Sequence, residues 1–116
     1  AIITGKSSKI VENRAKLLKI EHVYQGVRDK LSVLDGLLKE LGLEYKNVAA
    51  IGDDLNDLKQ LRKVGHSFAP ADALPSVKNS VKTVLKTDGG RGTVREMIEM
   101  IVDSENLREE YEKPWL

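Results

Sequence analysis

Cysteine is absent from this sequence of 116 residues, which excludes disulfides, thiolate nucleophiles and cysteine-ligated zinc. Histidine is scarce: the two present, His22 and His66, each stand beside apolar neighbours and read as packing or surface residues rather than metal ligands. Any metal is therefore expected to be hard and bound by oxygen. An excess of one charge is also lacking. Lys and Arg number 19 and Asp and Glu 18, for a formal net charge of +1, so bulk electrostatics favour neither nucleic acid nor an acidic membrane as partner. No apolar run approaches the roughly 20 residues that span a bilayer, and no signal-peptide order of charged, apolar and small residues appears, so the expected location is the cytoplasm. An initiator methionine is missing too. The opening Ala1-Ile2-Ile3-Thr4-Gly5 reads as the middle of a strand and its turn, and the chain is expected to be a fragment.

What is present is the mixture of a folded soluble domain, with 41% hydrophobic and 32% charged residues. The β-branched Ile2 and Ile3 before Thr4-Gly5 predict a short strand, and Ser7 or Ser8 a cap for a helix carrying Ile10, Val11, Ala15, Leu17 and Leu18. His22 to Tyr24 predict a second strand. From Lys30 the spacing Leu31, Leu34, Leu37, Leu38, Leu41 follows the helical period up to a C-capping Gly42. Val48 to Ile51 is a buried strand by its unbroken apolar run, and Leu55, Leu58, Leu61 and Val64 place a helix before Gly65. A strand at Ser67 to Ala69, a short helix after Pro75, a strand at Thr83 to Leu85 and a long helix capped by Thr93 complete the order. Alternating strands and helices with short connections predict an α/β domain with a mostly parallel sheet flanked by helices. Ligands of such sheets bind beyond the carboxyl ends of the strands. Those ends carry Thr4-Gly5-Lys6, Gln25-Gly26 with Lys30 just beyond, Gly52-Asp53-Asp54 with Asn56-Asp57, and Pro70-Ala71-Asp72.

Three carboxylates, Asp53, Asp54 and Asp57, fall within five residues at the end of a buried strand. Their repulsion is most easily offset by a divalent cation, and Gly52 permits the sharp turn that brings them together. The plainer reading of Asp54 or Asn56 alone is a cap for the helix that follows. Thr4 and Gly5 offer a hydroxyl and unhindered N–H groups suited to a phosphate oxygen, although a Thr before a Gly is also an ordinary strand terminus. Lys30 at a helix start opposes the helix dipole, which suggests an anionic partner where a solvated lysine is the simpler alternative.

These residues together resemble the haloacid dehalogenase superfamily of phosphohydrolases. Thr4 after two aliphatics, Lys30 near a helix start and the Gly-Asp-x-x-x-Asp pattern of residues 52 to 57 are similar to its second, third and fourth motifs. Tyr24-Gln25-Gly26-Val27, Val64-Gly65, Pro70-Ala71-Asp72-Ala73 and Gly89-Gly90-Arg91-Gly92 with Arg95-Glu96 look like the 3-deoxy-D-manno-octulosonate 8-phosphate phosphatases and the related nonulosonate 9-phosphate phosphatases. The latter also occur as the C-terminal domain of some CMP-sialate synthetases, so a non-catalytic oligomerising module is a further alternative. The resemblance covers residues 1–102, a core without a large cap domain, and leaves 103–116 as a C-terminal tail.

It implies a Mg²⁺-dependent phosphomonoesterase acting on a sugar-acid phosphate, in which one aspartate attacks phosphorus and a second protonates the leaving alkoxide. At the matching positions Thr4 and Gly5 would bind the phosphoryl group and Lys30 would neutralise its charge. Asp53 would bind Mg²⁺, and Asp57 would orient the site from behind the metal ligands, or through a water. Arg91, or Arg95, would recognise the substrate carboxylate. It also implies a homotetramer in which the C-terminal segment covers a neighbour's site, with Tyr111 and Trp115 as anchors of the tail unless the tail is disordered. The family's first motif, Asp-x-Asp-Gly, supplies nucleophile and acid, and no Asp-x-Asp precedes Thr4. Roughly 45 to 50 residues, a strand-helix unit whose strand lies between those ending at Thr4 and Ile51, are expected to be missing, and residues 1–116 alone are expected to be inactive.

Overall fold

Ser8, extended at φ −148°, accepts the Ile10 N–H through its hydroxyl and opens helix α1 (Lys9–Leu17) in the computed structural model, which describes residues 1–115. Strand β1 (Ile2–Ile3) precedes it and pairs in parallel with β2 (Val23–Tyr24), Ile2 opposite Val23 and Ile3 opposite Tyr24. Helix α2 (Lys30–Leu41) follows, and the Asp29 carboxylate caps it by accepting the Ser32 N–H at 3.1 Å. Gly42 ends it at φ +67°, the left-handed conformation in which glycine escapes the steric penalty of a Cβ. Leu34, Leu37 and Leu38 are its buried stripe. These elements make up the first of two compact units, Ala1–Asn47.

The second unit begins at Val48. Its sheet is fully parallel in the order β3 (Ala49–Ile51), β4 (His66–Ala69), β5 (Thr83–Val84), with Ile51 opposite Phe68 and Ala69 opposite Val84. Among the described residues the strands thus form two sheets, both parallel. Helix α3 (Leu58–Lys63) and the short α4 (Pro75–Lys78) supply Leu61 and Val77 to a core that also takes Ala69 and Ala73. Phe68 in the central strand is completely buried, and His66 two residues earlier stacks on its ring at 4.2 Å while bonding the Thr83 hydroxyl at 2.8 Å. His66 is therefore a sheet residue, in keeping with the packing or surface role read from the sequence.

Two expectations change. The helix read from Leu55 starts as a 3₁₀ turn (Leu55–Asp57) and becomes α-helical only at Leu58. A spacing of three residues is the 3₁₀ repeat, so the Leu55-to-Leu58 step never required an α-helix. Thr93 does not cap α5 (Thr93–Ser104); it is the first helical residue, and the cap position belongs to Gly92 at φ +84° with no side-chain bond. The chain enters the helix through a left-handed glycine, so the Thr93 hydroxyl lies inside the first turn, buried and without a hydrogen-bond partner.

Past α5 the tail forms α6 (Arg108–Glu112) and a 3₁₀ turn (Lys113–Trp115); Leu116, the last residue of the predicted tail, lies outside the described residues. Arg108 clips α6 to α5 through a two-pronged contact with Asp103, 2.8 Å on each arm, and a further bond to Glu99 at 3.2 Å. The contact lowers the Asp103 pKa and raises that of Arg108, first through their hydrogen bonds. Trp115 remains 85% exposed. Among the described residues no helix is long and apolar enough to cross a membrane.

Candidate active site

The loop after β3 is organised by one carboxylate. Asp57 is 6% exposed, and its Oδ2 accepts the N–H of Asp53 at 3.1 Å and of Asp54 at 3.3 Å, while Oδ1 accepts from the Gln60 side chain at 3.4 Å. Main-chain donors that a sharp turn would otherwise strand are thereby paired. Gly52 makes this possible. A Cβ there would lie 2.6 Å from the Asp57 Cβ and 2.7 Å from its Oδ2, so the carboxyl group occupies the space a side chain would take. Asp54 takes the plainer role: it caps the 3₁₀ turn, its carboxylate accepting the Leu55 N–H at 2.7 Å in a reciprocal capping box with Asp57.

Asp53 is what remains. Its N–H is held by Asp57 and its carbonyl accepts the Leu74 N–H at 3.2 Å, fixing the backbone on both sides. Its side chain is exposed and forms no hydrogen bond or ion pair with another described residue. Among the described residues no group of three or more His, Cys, Asp or Glu side chains is placed to hold a metal. The exposed Asp53 carboxylate is a hard oxygen donor and fits one ligand position of a hard cation. That suits Mg²⁺, which commonly takes one or two carboxylates and completes its shell with water and substrate phosphate oxygens.

In the first unit, Thr4 is half-buried and Gly5 exposed at the end of β1. The Thr4 hydroxyl oxygen accepts the Lys6 N–H at 3.3 Å, which leaves its own hydrogen to donate elsewhere. The Thr4 carbonyl accepts the Val27 N–H at 3.0 Å, and the Gln25 side chain accepts the Ser8 N–H at 2.6 Å, so the loops after β1 and β2 are stitched together. Lys30, half-buried, begins α2. The first unit thus carries Thr4, Gly5 and Lys30, and the second carries Asp53, Asp57 and Arg91.

Arg91 is exposed in the Gly89–Gly92 loop. What the sequence did not reveal is how that loop is held. Glu96, one turn into α5, accepts the Lys86 N–H at 3.1 and 3.0 Å, the Thr87 N–H at 3.0 Å and the Thr87 hydroxyl at 2.7 Å. Only its place after a glycine-rich segment, at a helix start, hinted at such a role. The Thr87 hydroxyl and then the Lys86 N–H hold the Glu96 carboxyl below its usual range, against a smaller opposing effect of burial. A depressed folded value means the tether contributes fully above the unfolded carboxylate's pKa and is lost as pH falls through the folded one. Amide protection at Lys86 and Thr87, measured against the intrinsic exchange rate at the same pH, is accordingly expected to fall at acidic pH, below the usual glutamate range, and a Glu96→Gln variant to lose that pH-dependent step. An unchanged step in the variant would assign it to another group.

The chain is similar to known proteins. Residues 4–97 match the family model of the haloacid dehalogenase-like hydrolases. The 3-deoxy-D-manno-octulosonate 8-phosphate phosphatase of Escherichia coli strain K12 is 44% identical over 102 residues, covering 88% of this chain and 54% of that protein. The chain therefore spans about half the length of this curated relative. The crystal structure of the Moraxella catarrhalis 3-deoxy-D-manno-octulosonate 8-phosphate phosphatase, in complex with magnesium, phosphate and KDO, superposes with a TM-score of 0.94 at 39% identity, over 99% of this chain and 66% of that one. The cobalt-bound Haemophilus influenzae deoxy-D-mannose-octulosonate 8-phosphate phosphatase gives 0.84 at 37% identity, over 90% and 63%. With its parallel strands alternating with helices and its Gly-Asp loop closed over a buried aspartate, the chain belongs to the haloacid dehalogenase-like hydrolases.

Proposed function

We propose that this chain supplies the phosphate-binding and metal-binding residues of a divalent-metal-dependent phosphomonoesterase that converts 3-deoxy-D-manno-octulosonate 8-phosphate to the free sugar acid and inorganic phosphate. The observation that carries the reading is the pinned Gly52-Asp53 loop: Asp57 and Leu74 fix its backbone, and one exposed carboxylate is left over at a strand's carboxyl end. The names of the relatives at 44% and 39% identity support the eight-carbon substrate.

In this reading the Thr4 hydroxyl and the Gly5 N–H donate to phosphoryl oxygens, and the Lys30 ammonium sets a positive charge against them. Asp53 would hold a divalent cation, which would supply positive charge against the phosphoryl oxygens. Mg²⁺ is the ion proposed. Asp57 does not reach substrate. It keeps the Asp53 backbone in place, so it is a positioning residue. Arg91 receives the sugar-acid carboxylate, for which a guanidinium offers two parallel donors. The nucleophile and general acid that family resemblance implies are assigned to no residue of this chain.

The test is phosphate release by the intact protein from 3-deoxy-D-manno-octulosonate 8-phosphate, a nonulosonate 9-phosphate and a hexose 6-phosphate without a carboxylate. The eight-carbon substrate is expected to give the highest kcat/KM. Preference for the nine-carbon acid would reassign the substrate, and release from none would overturn the reading.

A further inference from the structure

The loops that follow β3, β4 and β5 are joined in one hydrogen-bonded series. The Asp53 carbonyl accepts the Leu74 N–H at 3.2 Å, which ties the acidic loop to the loop after β4. That second loop grips the third at two points: the Ala71 N–H donates to the Thr87 carbonyl at 2.8 Å, and Asp72 Oδ1 accepts the Gly89 N–H at 2.8 Å. On the other side Glu96 collects the N–H groups of Lys86 and Thr87 and the Thr87 hydroxyl.

Between these anchors runs Gly89-Gly90-Arg91-Gly92, with Gly90 at φ +76° and Gly92 at φ +84°. The Arg91 N–H donates to the Asp88 carbonyl at 3.0 Å, and the Gly92 carbonyl accepts the Glu96 N–H at 3.0 Å. Three glycines in four residues have unusual conformational freedom to lose on ordering, so the place of Arg91 is decided by what holds the ends. Both anchors are carboxylates accepting main-chain N–H groups, the stronger class of hydrogen bond. The Arg91 side chain itself forms no hydrogen bond or ion pair with another described residue, so nothing else fixes it.

We propose that Asp72 and Glu96 are positioning residues that hold the 86–92 segment so that Arg91 meets the carboxylate end of the sugar acid. The inference rests on the proposed role of Arg91 and adds what makes that role possible. Neither carboxylate touches substrate; each acts through the backbone it holds. Through Leu74 the same series fixes the segment to the loop of Asp53, so the spacing of the Asp53 and Arg91 backbones is set by main-chain bonds together with the two buttressing carboxylates. Such a spacing would select a substrate by the separation of its phosphate and carboxylate groups.

The readout is selectivity: the ratio of kcat/KM for 3-deoxy-D-manno-octulosonate 8-phosphate to that for para-nitrophenyl phosphate, which has no carboxylate, measured on the intact protein. Asp72→Ala and Glu96→Ala are each expected to lower this ratio about tenfold, the order of loss that follows from misplacing a binding group. Asp72→Asn, whose amide oxygen still accepts the Gly89 N–H, is expected to recover most of it, and it serves as the folded variant should alanine destabilise the loop. Equal losses on both substrates would show a merely structural role and overturn the proposal, as would an Asp72→Asn ratio no better than that of alanine. The reading of Arg91 is tested separately. If Arg91→Ala keeps the ratio, that reading falls and the positioning role falls with it; if Arg91→Ala loses the ratio while the Asp72 and Glu96 variants keep it, only the positioning role falls.

Discussion

Asp53→Asn is expected to lower kcat/KM for phosphate release by the intact protein at least about a hundredfold and to abolish its response to added Mg²⁺, on the scale of losing a charge-stabilising group in a phosphoryl-transfer site. The urea midpoint should not move. The reason for both expectations is the division of labour in the loop. The Asp53 backbone is held through its N–H and its carbonyl, while its carboxylate is exposed and bonded to nothing among the described residues. Asparagine keeps the shape and the main-chain bonds and removes only the charge. A variant with an ordinary Mg²⁺ response would put the metal elsewhere, and one that unfolds would show that the carboxylate has a structural partner.

Gly52→Ala is expected to act in the opposite way, on the fold of the loop first and on activity through it. The new methyl would sit 2.6 Å from the Asp57 Cβ, a rigid atom next to the backbone, so one of the two chain segments must shift. Moving Asp57 leaves the Asp53 and Asp54 N–H groups without their acceptor. Overpacking and lost pairing together predict a cost of about 2–4 kcal/mol, read from the urea midpoint at constant m-value. Combining Gly52→Ala with Asp57→Gly, which deletes the three atoms nearest the methyl, should cost less than the sum of the two single changes. A Gly52→Ala protein within about 0.5 kcal/mol of wild type would mean that the loop tolerates a side chain, contrary to this account.

Much of this was written in local pattern. The Ser8, Asp54 and Gly42 caps and the period of the α2 leucines are short-range signals, and the structure realises each within a residue or two. The apolar run ending at Ile51 forms its strand but not the burial expected of it, with Ala49 exposed and Ala50 and Ile51 half-buried. The pattern Gly-Asp-x-x-x-Asp carried the loop because its bonds span only three or four residues, from Asp57 back to Asp54 and Asp53. The capping alternative for Asp54 proved compatible with the metal reading: one carboxylate caps, one organises and one is left exposed. Thr93 has the residue type of a cap without the position, because a left-handed Gly92 turns the chain directly into α5. The anchors Asp72 and Glu96 were invisible as such. Their partners lie 17 and 9 to 10 residues away in sequence, and only the parallel order of β4 and β5 brings the loops together.

The central claim is that a divalent cation held at Asp53 supports hydrolysis of a sugar-acid phosphate. The direct measurement is phosphate release from 3-deoxy-D-manno-octulosonate 8-phosphate by the intact protein, stripped of metal with a chelator and then titrated with Mg²⁺. Release is expected to be negligible at the start and to rise to saturation with the metal. Release that is undiminished in the stripped protein, or that stays absent at saturating Mg²⁺, would contradict it.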